Sequence, residues 1–520
     1  MLARYRLEWG TALTAAALGA VYLLLPLMGS DLAAQVARAE FFADHGYTPV
    51  DLRWYAGVDQ LGYSLLSQPV MALLGVRVTG VVALVVATTL LAVLFRRTSA
   101  PRPWLGAVAG VACVAGNLVS GRVTYGLGIA LGLGALALLT SPRWRWLALA
   151  PALAAGATSP VAGLFLGLAG AALLLGGRVV DGLLVAVPAA VPLALTALLF
   201  GDGGWMNISH TDTLRAVVAS LAVAVFVPHR VVRIGALLSA LGVLGAALVH
   251  TPVGLNATRL SVMFTLPLLA AYAAVPRPRR ASPLGVHEKG GPLEVPLWAV
   301  LILLVVACWW QPPVVTGDLR DIGNPTASRS YFTPLLDRLG QETLTGRVEI
   351  PPTRDYWESA YLADVPLARG WLRQADIDRN PLFFNEIPGT SGTGVALTPD
   401  SYHTWLATLA VQFVAVPDAE LAWPGRTEAA LITGGLPYLS EVWRGEHWTL
   451  YRVADAEPIV ANLVSQDATS VTFVAESAGG IVVRVRYYRW LKASGGAVVA
   501  GTGPWTLVRV SEPGRYRLTS

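Results

Sequence analysis

The chain has 520 residues, of which 54% are hydrophobic and 14% charged, and its net charge is +5. Soluble chains of this length carry more charge, so the composition excludes an ordinary soluble protein and indicates a membrane protein. The basic excess lies in residues 1–310, with 20 Lys or Arg against 11 Asp or Glu, whereas residues 311–520 hold 18 against 22. This distribution is typical of basic loops between membrane spans and excludes a nucleic-acid-binding surface.

Residues 1–310 are predicted to form an α-helical membrane domain of about eleven spans, because about 20 apolar residues cross a bilayer. The predicted spans lie near residues 9–28, 78–95, 104–120, 124–140, 146–158, 160–176, 179–200, 214–228, 233–250, 259–275 and 296–310. Arginine-rich turns follow the second, fourth, sixth, eighth and tenth of them. By the positive-inside rule these turns and the N-terminus are cytoplasmic, so everything after residue 310 is predicted to lie outside the cytoplasmic (inner) membrane.

Residues 30–63, which we call the opening segment, follow the first predicted span and are rich in carboxylates. Asp31 stands at the membrane end of the segment. It is a candidate general base, or a ligand for a divalent cation (Mg²⁺ or Mn²⁺) that holds a phosphate. A helix-end residue that reaches the headgroup water would occupy the same position.

Charged and aromatic side chains alternate farther along the opening segment. Asp51 and Arg53 precede Trp54 and Tyr55, and Glu40 lies on a predicted helix before them. Aromatic faces beside charged groups suit sugars, so Glu40, Asp51 and Arg53 are candidate substrate-binding residues. An aromatic belt at the membrane interface has the same composition.

The other predicted outer loops contribute further candidates for substrate binding. Arg122 and Arg259 are placed at the outer membrane boundary, with Asn256 just before Arg259 and His210 in a separate loop. A guanidinium group is well shaped to bind the phosphate of a lipid-linked donor. Snorkelling toward lipid phosphates is the alternative for both arginines.

The tail is predicted to contain two domains, a mixed α/β domain over residues 311–457 and a β-sandwich over residues 458–520, whose short alternating runs are separated by glycine-rich turns. Its densest polar and aromatic stretch, residues 354–374, is a candidate binding face, with internal salt bridging as the alternative. Its candidate residues are Asp355, Trp357, Glu358, Arg369 and Arg373.

Several catalytic motifs are missing from the sequence. It has no P-loop, no GxGxxG after a strand, no HExxH and no GxSxG. The two cysteines both lie inside apolar runs, which excludes a disulfide framework and a thiolate metal site. ATP-driven transport and serine hydrolysis therefore have no support, and acid and base residues on the predicted outer face remain.

The layout resembles that of GT-C glycosyltransferases, which have many short spans, an acidic first outer loop and an external C-terminal domain. The segments that carry the resemblance are SDLAAQVARAEFFADHG, NLVSGRVTYGLGIALGLGALALL, VGLNATRLSVMFTLPLL and PTRDYWESAYLADVPLARGWLRQADIDRNPLFF. The chain is also similar to actinobacterial membrane proteins of the same layout. The resemblance implies a catalytic acid at Asp31. Many members of the class have a pair of acids there, whereas Asp31 has no adjacent second acid.

We therefore expect a membrane glycosyltransferase that moves a hexose or pentose from a polyprenyl-phosphate donor to a glycan or lipid acceptor of the cell envelope. Its expected partners are the bilayer, the donor and the acceptor, without nucleic acid. A non-catalytic glycan-binding scaffold of envelope assembly fits the same features. A transporter or flippase of lipid-linked glycans ranks lower, since Asp181 is nearly the only charge within the predicted spans.

Overall fold

The computed structural model describes residues 5–274, 296–362 and 364–520. The basic stretch predicted to follow the tenth span lies outside these residues. The chain divides into two compact units. One, the helical unit, comprises Met1–Pro26, Ser64–Leu195 and Met206–Arg320. The other, the α/β unit, comprises Leu27–Tyr63, Thr196–Trp205 and Asp321–Ser520. The predicted boundaries at residues 310 and 457 stay a prediction.

Helices dominate the chain up to Arg320. They are α1 (Arg6–Leu24), α2 (Leu32–His45), α3 (Ser67–Leu74), α4 (Val76–Arg97), α5 (Pro103–Val119), α6 (Val123–Leu139), α7 (Leu149–Thr158), α8 (Pro160–Leu175), α9 (Val179–Leu199), α10 (His210–Phe226), α11 (Arg230–Leu248), α12 (Arg259–Tyr272), α13 (Leu297–Trp310) and α14 (Thr316–Arg320). A helix occupies each of the eleven apolar segments found in the sequence, because these segments are rich in Leu and Ala and lack interior breakers over most of their length.

Within the described residues, four helices are long and apolar enough to cross a membrane, namely α1, α4, α9 and α11. Shorter apolar helices of 10 to 17 residues are α5, α6, α8 and α13. The structure therefore confirms a helical fold with several apolar helices. The count of eleven spans stays a prediction, since the shorter helices fall below the length of about 20 residues that a bilayer requires.

Small residues let the helices of the helical unit approach one another closely. A Cβ atom at Gly128 of α6 would lie 2.7 Å from the Cβ of Ala162 on α8. One at Gly106 of α5 would lie 2.6 Å from the Cβ of Ala271 on α12. Such contacts are typical of helices that associate in lipid, where backbone approach and van der Waals packing replace the hydrophobic effect.

The remaining helices lie in the α/β unit. They are α15 (Thr333–Leu339), α16 (Glu358–Tyr361), α17 (Arg373–Arg379), α18 (Pro399–Thr408) and α19 (Trp423–Thr433). The strands are β1 (Val50–Asp51), β2 (Val58–Asp59), β3 (Arg347–Glu349), β4 (Val411–Pro417), β5 (Leu439–Arg444), β6 (Trp448–Val453), β7 (Leu463–Gln466), β8 (Ser470–Ala475), β9 (Gly479–Arg486), β10 (Lys492–Ala493), β11 (Val498–Thr502), β12 (Trp505–Val510) and β13 (Gly514–Thr519).

The first sheet of the tail has the order β3-β4-β6-β5, with β3 parallel to β4 and the other pairs antiparallel. The C-terminal strands form two antiparallel sheets, β10-β13-β8-β7 and β11-β12-β9. Inward side chains of both sheets, among them Phe473, Leu518, Val483 and Val508, belong to one buried cluster. The predicted β-rich C-terminal region is thus confirmed, and alternation along each strand explains it, since every second residue faces the shared core.

The opening segment is built into the α/β unit. Val50 and Leu52 belong to the buried cluster of the C-terminal sheets. The backbone N–H of Leu52 donates to the Ala468 carbonyl at 2.8 Å, and the N–H of Val50 donates to the Ser520 hydroxyl at 2.7 Å. The strands β1 and β2 form a short antiparallel hairpin above these contacts. A segment that the sequence presented as a surface loop is therefore part of a folded core.

Truncating Phe473 should destabilise the C-terminal sheets by about 3–5 kcal/mol, because Phe473→Ala leaves a cavity at a fully buried position. Val474→Ala on the same strand is the matched control, since Val474 is exposed. Amide hydrogen exchange of the full-length protein would show faster exchange across residues 470–519 in the first variant alone. Equal exchange in both variants would contradict the shared core.

Candidate functional site

Two of the predicted arginines line one small pocket in the helical unit. Arg122 lies just before α6 and Arg259 begins α12, and both line the pocket together with Asn117, Ser120 and Tyr125. The Arg259 guanidinium lies over the Tyr125 ring, 5.5 Å from its centroid. The predicted placement of both arginines at the outer membrane boundary and their predicted role in binding substrate stay predictions.

Two side-chain hydrogen bonds stabilise the wall of this pocket. The Asn117 amide donates to the Arg122 carbonyl at 3.2 Å, and the Ser120 hydroxyl donates to the Asp318 carboxylate at 2.5 Å. Gly121 between them has φ +74°, a conformation that glycine adopts without strain. The turn between α5 and α6 is thereby fixed, and it sets the position of Arg122.

A larger apolar cavity of about 320 Å³ lies in the same unit. Residues of α4, α6, α8, α10, α11 and α12 line it, and most of them are Leu, Val, Phe or Ala. On α12, Leu260 and Ser261 line the cavity and directly follow Arg259, which lines the small pocket. On α6, Tyr125 lines the small pocket and Gly128 the cavity. An arginine-lined pocket and an apolar cavity thus share the walls of two helices.

His210 and Asn256 do not line this pocket. His210 is the exposed first residue of α10, and Asn256 is half-buried in a short 3₁₀ turn of residues 254–258 that leads into α12. Their predicted roles remain untested, and the structure brings neither of them to the wall formed by Arg122 and Arg259.

In the α/β unit, Asp31 occupies the residue before α2 and is half-buried. The carbonyl of the preceding residue, Ser30, accepts a hydrogen bond from the Trp371 indole at 3.3 Å. Glu40 lies on α2, and its partly exposed carboxylate forms an ion pair with Arg329. The catalytic role predicted for Asp31 stays a prediction.

Asp51 and Arg53 form a buried, two-pronged ion pair. The guanidinium Nε and Nη2 donate to the Asp51 carboxylate at 3.0 and 2.8 Å, and Nη2 also donates to the Ala37 carbonyl of α2 at 3.1 Å. The Gln60 amide donates to the same carboxylate at 2.6 Å. The hydrogen bonds of Asp51 and Arg53 are therefore made inside the unit, where this ion pair connects the hairpin to α2.

Sequence reasoning missed Arg38, which is fully buried beside this pair. Its Nη1 donates to the side-chain amide oxygen of Gln60 at 2.7 Å, and its guanidinium lies 4.1 Å from the Tyr63 ring centroid. Burial lowers the pKa of Arg38 below its usual value. The available signal was helical periodicity, because Arg38 shares a face of α2 with Ala34 and Phe41.

The opening segment and residues 354–374, both selected from the sequence, come together in the structure. The Leu367 N–H donates to the Arg53 carbonyl at 2.7 Å. The Trp54 indole donates to the Ser359 carbonyl at 3.2 Å, and the Tyr55 hydroxyl donates to the Gly370 carbonyl at 2.5 Å. Two separate stretches of charged and aromatic residues thus form one hydrogen-bonded layer.

Most of the candidate residues within residues 354–374 are buried. Asp355 and Trp357 are buried, and the Trp357 ring stacks on Tyr361 with centroids 4.9 Å apart. The Glu358 carboxylate accepts a hydrogen bond from the Thr353 hydroxyl at 2.5 Å. Burial raises the pKa of Glu358 to about 7, although the Thr353 hydrogen bonds lower it.

Arg369 lies at the centre of a buried cluster of carboxylates. It donates to Asp376 at 2.9 Å and to Glu428 at 2.9 Å, and Glu349 lies 3.7 Å away. Burial, together with the nearby Glu428, raises the pKa of Glu349 well above its usual range. The neutral form of Glu349 is thereby favoured, and internal salt bridging, one of the two sequence interpretations, describes Arg369.

Arg373 differs from Arg369 because it is only half-buried. It begins α17, its guanidinium lies 5.4 Å from the Trp423 ring centroid, and it donates to the Tyr356 hydroxyl at 3.3 Å. Of the two candidate arginines within residues 354–374, it is therefore the less buried one.

Two further carboxylates of the α/β unit, those of Asp59 and Asp202, lie close to each other. The Asp59 N–H donates to the Asp202 carboxylate at 2.9 Å, and Arg379 forms an ion pair with Asp202 at 2.8 Å. Burial, and then the charge of Asp202, raises the pKa of Asp59 to about 8. Among the residues that the structure describes, no group of three or more His, Cys, Asp or Glu could hold a metal ion.

Comparisons with known proteins find similarity to solved structures only. No protein-family model matches the chain, and no curated protein sequence matches it. A solved structure of the arabinofuranosyltransferase AftD from mycobacteria is similar to 91% of this chain, with 16% sequence identity and a TM-score of 0.46. A point mutant of AftD gives the same identity, coverage of this chain and TM-score. The chain spans about two fifths of those proteins, 41% and 43%.

The raised pKa of Glu358 predicts a pH-dependent stability of the α/β unit. Since its folded pKa of about 7 exceeds that of the unfolded chain, the stabilisation is complete below about pH 4.5 and is lost as the pH rises through 7. Glu358→Gln should flatten this loss, which is on the order of 3 kcal/mol. Thermal unfolding between pH 5 and 8 measures it, with exposed Glu386→Gln as the matched control. An unchanged pH profile in Glu358→Gln would refute the assignment.

Proposed function

We propose that the chain is an integral-membrane glycosyltransferase that takes a sugar from a polyprenyl-phosphate donor and passes it to a glycan or lipid acceptor of the cell envelope. The observation that carries the proposal is the shared wall of the arginine-lined pocket and the apolar cavity. A polyprenyl-phosphate sugar has the matching parts, an anionic phosphate joined to a long apolar chain.

The phosphate end of the donor is assigned to Arg122 and Arg259. Arginine keeps its charge in a poorly solvated site and donates two parallel hydrogen bonds to phosphate oxygens. Asn117 and Ser120 add neutral polar groups to the same wall. This set neutralises a phosphodiester without a metal, and a divalent cation, Mg²⁺ or Mn²⁺, is the alternative counter-charge. Assays with and without EDTA separate the two.

The apolar end is assigned to the cavity beside α12. Its volume of about 320 Å³ falls within the range of sites that enclose small ligands, so it would hold the first isoprene units and leave the remainder of the chain in lipid. Hydrophobic burial at roughly 25 cal/mol per Å² makes such a chain a substantial source of affinity.

Asp31 is assigned the role of general base. In the proposed step the carboxylate takes the proton of an acceptor hydroxyl, and the oxygen attacks the anomeric carbon of the sugar. The bond from that carbon to the phosphate oxygen breaks, and polyprenyl phosphate leaves with the electron pair. One base suffices for such an inverting transfer, because the phosphate leaving group needs no protonation.

The acceptor is assigned to the α/β unit, near residues 354–374. Asp51, Arg53, Asp355, Trp357 and Glu358 are interior, so they would support the binding surface from behind. Arg373 is better placed for direct contact, together with the Trp423 ring that lies beside it. The name of the AftD neighbours supplies the first sugar to assay, an arabinofuranosyl donor.

Removing the guanidinium of Arg259 should weaken donor binding. Arg259→Gln is expected to raise the KM for the polyprenyl-phosphate donor about 10- to 100-fold with a smaller change in kcat, because hydrogen bonds to charged groups contribute about 1.5–3 kcal/mol. Radiolabelled transfer by purified protein in detergent measures it. Arg230→Gln, at the exposed start of α11, is the control. A donor KM equal to that of the control would exclude this pocket as the phosphate site.

Removing the carboxylate of Asp31 should abolish transfer without loss of donor binding. Asp31→Asn is expected to lower kcat by about 10²- to 10⁴-fold, the usual contribution of a general base. Asp44→Asn is the matched control, since Asp44 is exposed on α2. Full activity of Asp31→Asn would sink the catalytic assignment. Wild-type protein that binds glycan but transfers no sugar would instead support the scaffold alternative.

A further inference from the structure

A short turn between α6 and α7 presents alternating arginine and tryptophan side chains, from Arg143 to Trp146. The Arg143 guanidinium lies 4.9 Å from the Trp144 ring centroid, and that of Arg145 lies 5.3 Å from the Trp146 ring centroid. Each arginine is therefore held against the indole that follows it, in a contact that fixes the position of the cation.

The turn is exposed and carries positive charge without a local counter-charge. Trp144 is 48% exposed and Trp146 is 57% exposed. No Asp or Glu occurs in the sequence between Asp59 and Asp181. Within the described part of the chain, the ion pairs involve neither arginine of this turn. Large exposed aromatic side chains beside uncompensated charge indicate a partner that is both apolar and anionic.

The apolar surface continues from the turn into α7. Leu147, Leu149 and Leu153 are each more than 40% exposed, whereas Ala152 and Ala155 are fully buried. One side of this helix therefore packs within the unit and the other presents leucine. Along the chain, the arginines and tryptophans come first and the exposed leucines follow. A bilayer offers matching partners, because lipid phosphates bind cations, the headgroup region accommodates indoles and the acyl chains contact leucine.

We propose that the turn of residues 141–147 binds the headgroups of anionic phospholipids in the bilayer leaflet on its side of the membrane. Arg143 and Arg145 bind lipid phosphates, Trp144 and Trp146 lie at the level of the headgroups, and the leucines of α7 contact the acyl chains. The partner is a lipid because a soluble phosphate would leave the exposed indoles and leucines in water. This inference is independent of the proposed reaction.

Native mass spectrometry of the full-length protein in detergent, titrated with dioleoylphosphatidylglycerol or dioleoylphosphatidylcholine, tests the proposal. Arg143→Gln/Arg145→Gln should weaken the tightest phosphatidylglycerol binding about 30-fold, since each arginine near an anionic lipid contributes roughly a fivefold preference. Phosphatidylcholine binding should stay within about twofold. Arg143→Lys/Arg145→Lys should restore most of the preference, because charge is the larger part of the attraction.

The matched control is Arg426→Gln/Arg444→Gln, which removes two exposed arginines from the α/β unit and changes the net charge equally. It should leave phosphatidylglycerol binding unchanged. Trp144→Ala/Trp146→Ala keeps the charge and should still weaken lipid binding several-fold. Phosphatidylglycerol affinity equal to that of the wild type in Arg143→Gln/Arg145→Gln would overturn the proposal. Full competition by glycerol 3-phosphate would overturn the assignment to a lipid and identify a soluble phosphate.

Discussion

The buried ion pair of Asp51 and Arg53 is the interaction on which the arrangement of the α/β unit depends. It lies in the opening segment, and three elements meet at it, since Arg53 also donates to the Ala37 carbonyl of α2 and accepts, through its own carbonyl, from Leu367. Removing one partner of a buried pair typically costs about 3–5 kcal/mol, because the other charge is then left without compensation. The position of α2, and with it that of Asp31, is thereby tied to the core of the unit.

The α/β unit also buries a cluster of one arginine and three carboxylates. Arg369 faces three carboxylates, those of Asp376, Glu428 and Glu349. One guanidinium cannot balance three negative charges in a poorly solvated interior. Burial and the nearby Glu428 raise the pKa of Glu349, which favours its neutral form. The Tyr402 hydroxyl donates to Glu428 at 3.0 Å and satisfies one of its oxygens. The polar groups of this cluster therefore stabilise one arrangement of the interior, which is a structural role.

The elements of the fold followed from local patterns, whereas the site depended on contacts that no local pattern contains. Apolar runs located α4 and α11 because a helix that contacts lipid must be apolar around most of its surface. Alternation located β8 and β12 because each faces one core. Helical periodicity indicates that Arg38 lies on the buried face of α2, but no local pattern identifies its partner Gln60. The burial of Glu349 beside Glu428 of α19 could not be predicted either, since these two residues are distant in sequence.

Arginine serves opposite purposes in the two units, and this explains which sequence candidates remain suited to ligand binding. In the α/β unit Arg53 and Arg369 are buried against carboxylates that accept hydrogen bonds from their guanidinium groups. In the helical unit Arg122 and Arg259 line a pocket wall, and Arg143 lies on the surface. Arginine suits both settings because its charge persists in low dielectric and its donors are fixed in a plane. A charged residue in the sequence was therefore a weak guide to function, and the accessibility of its guanidinium distinguishes a structural arginine from one that can meet a phosphate.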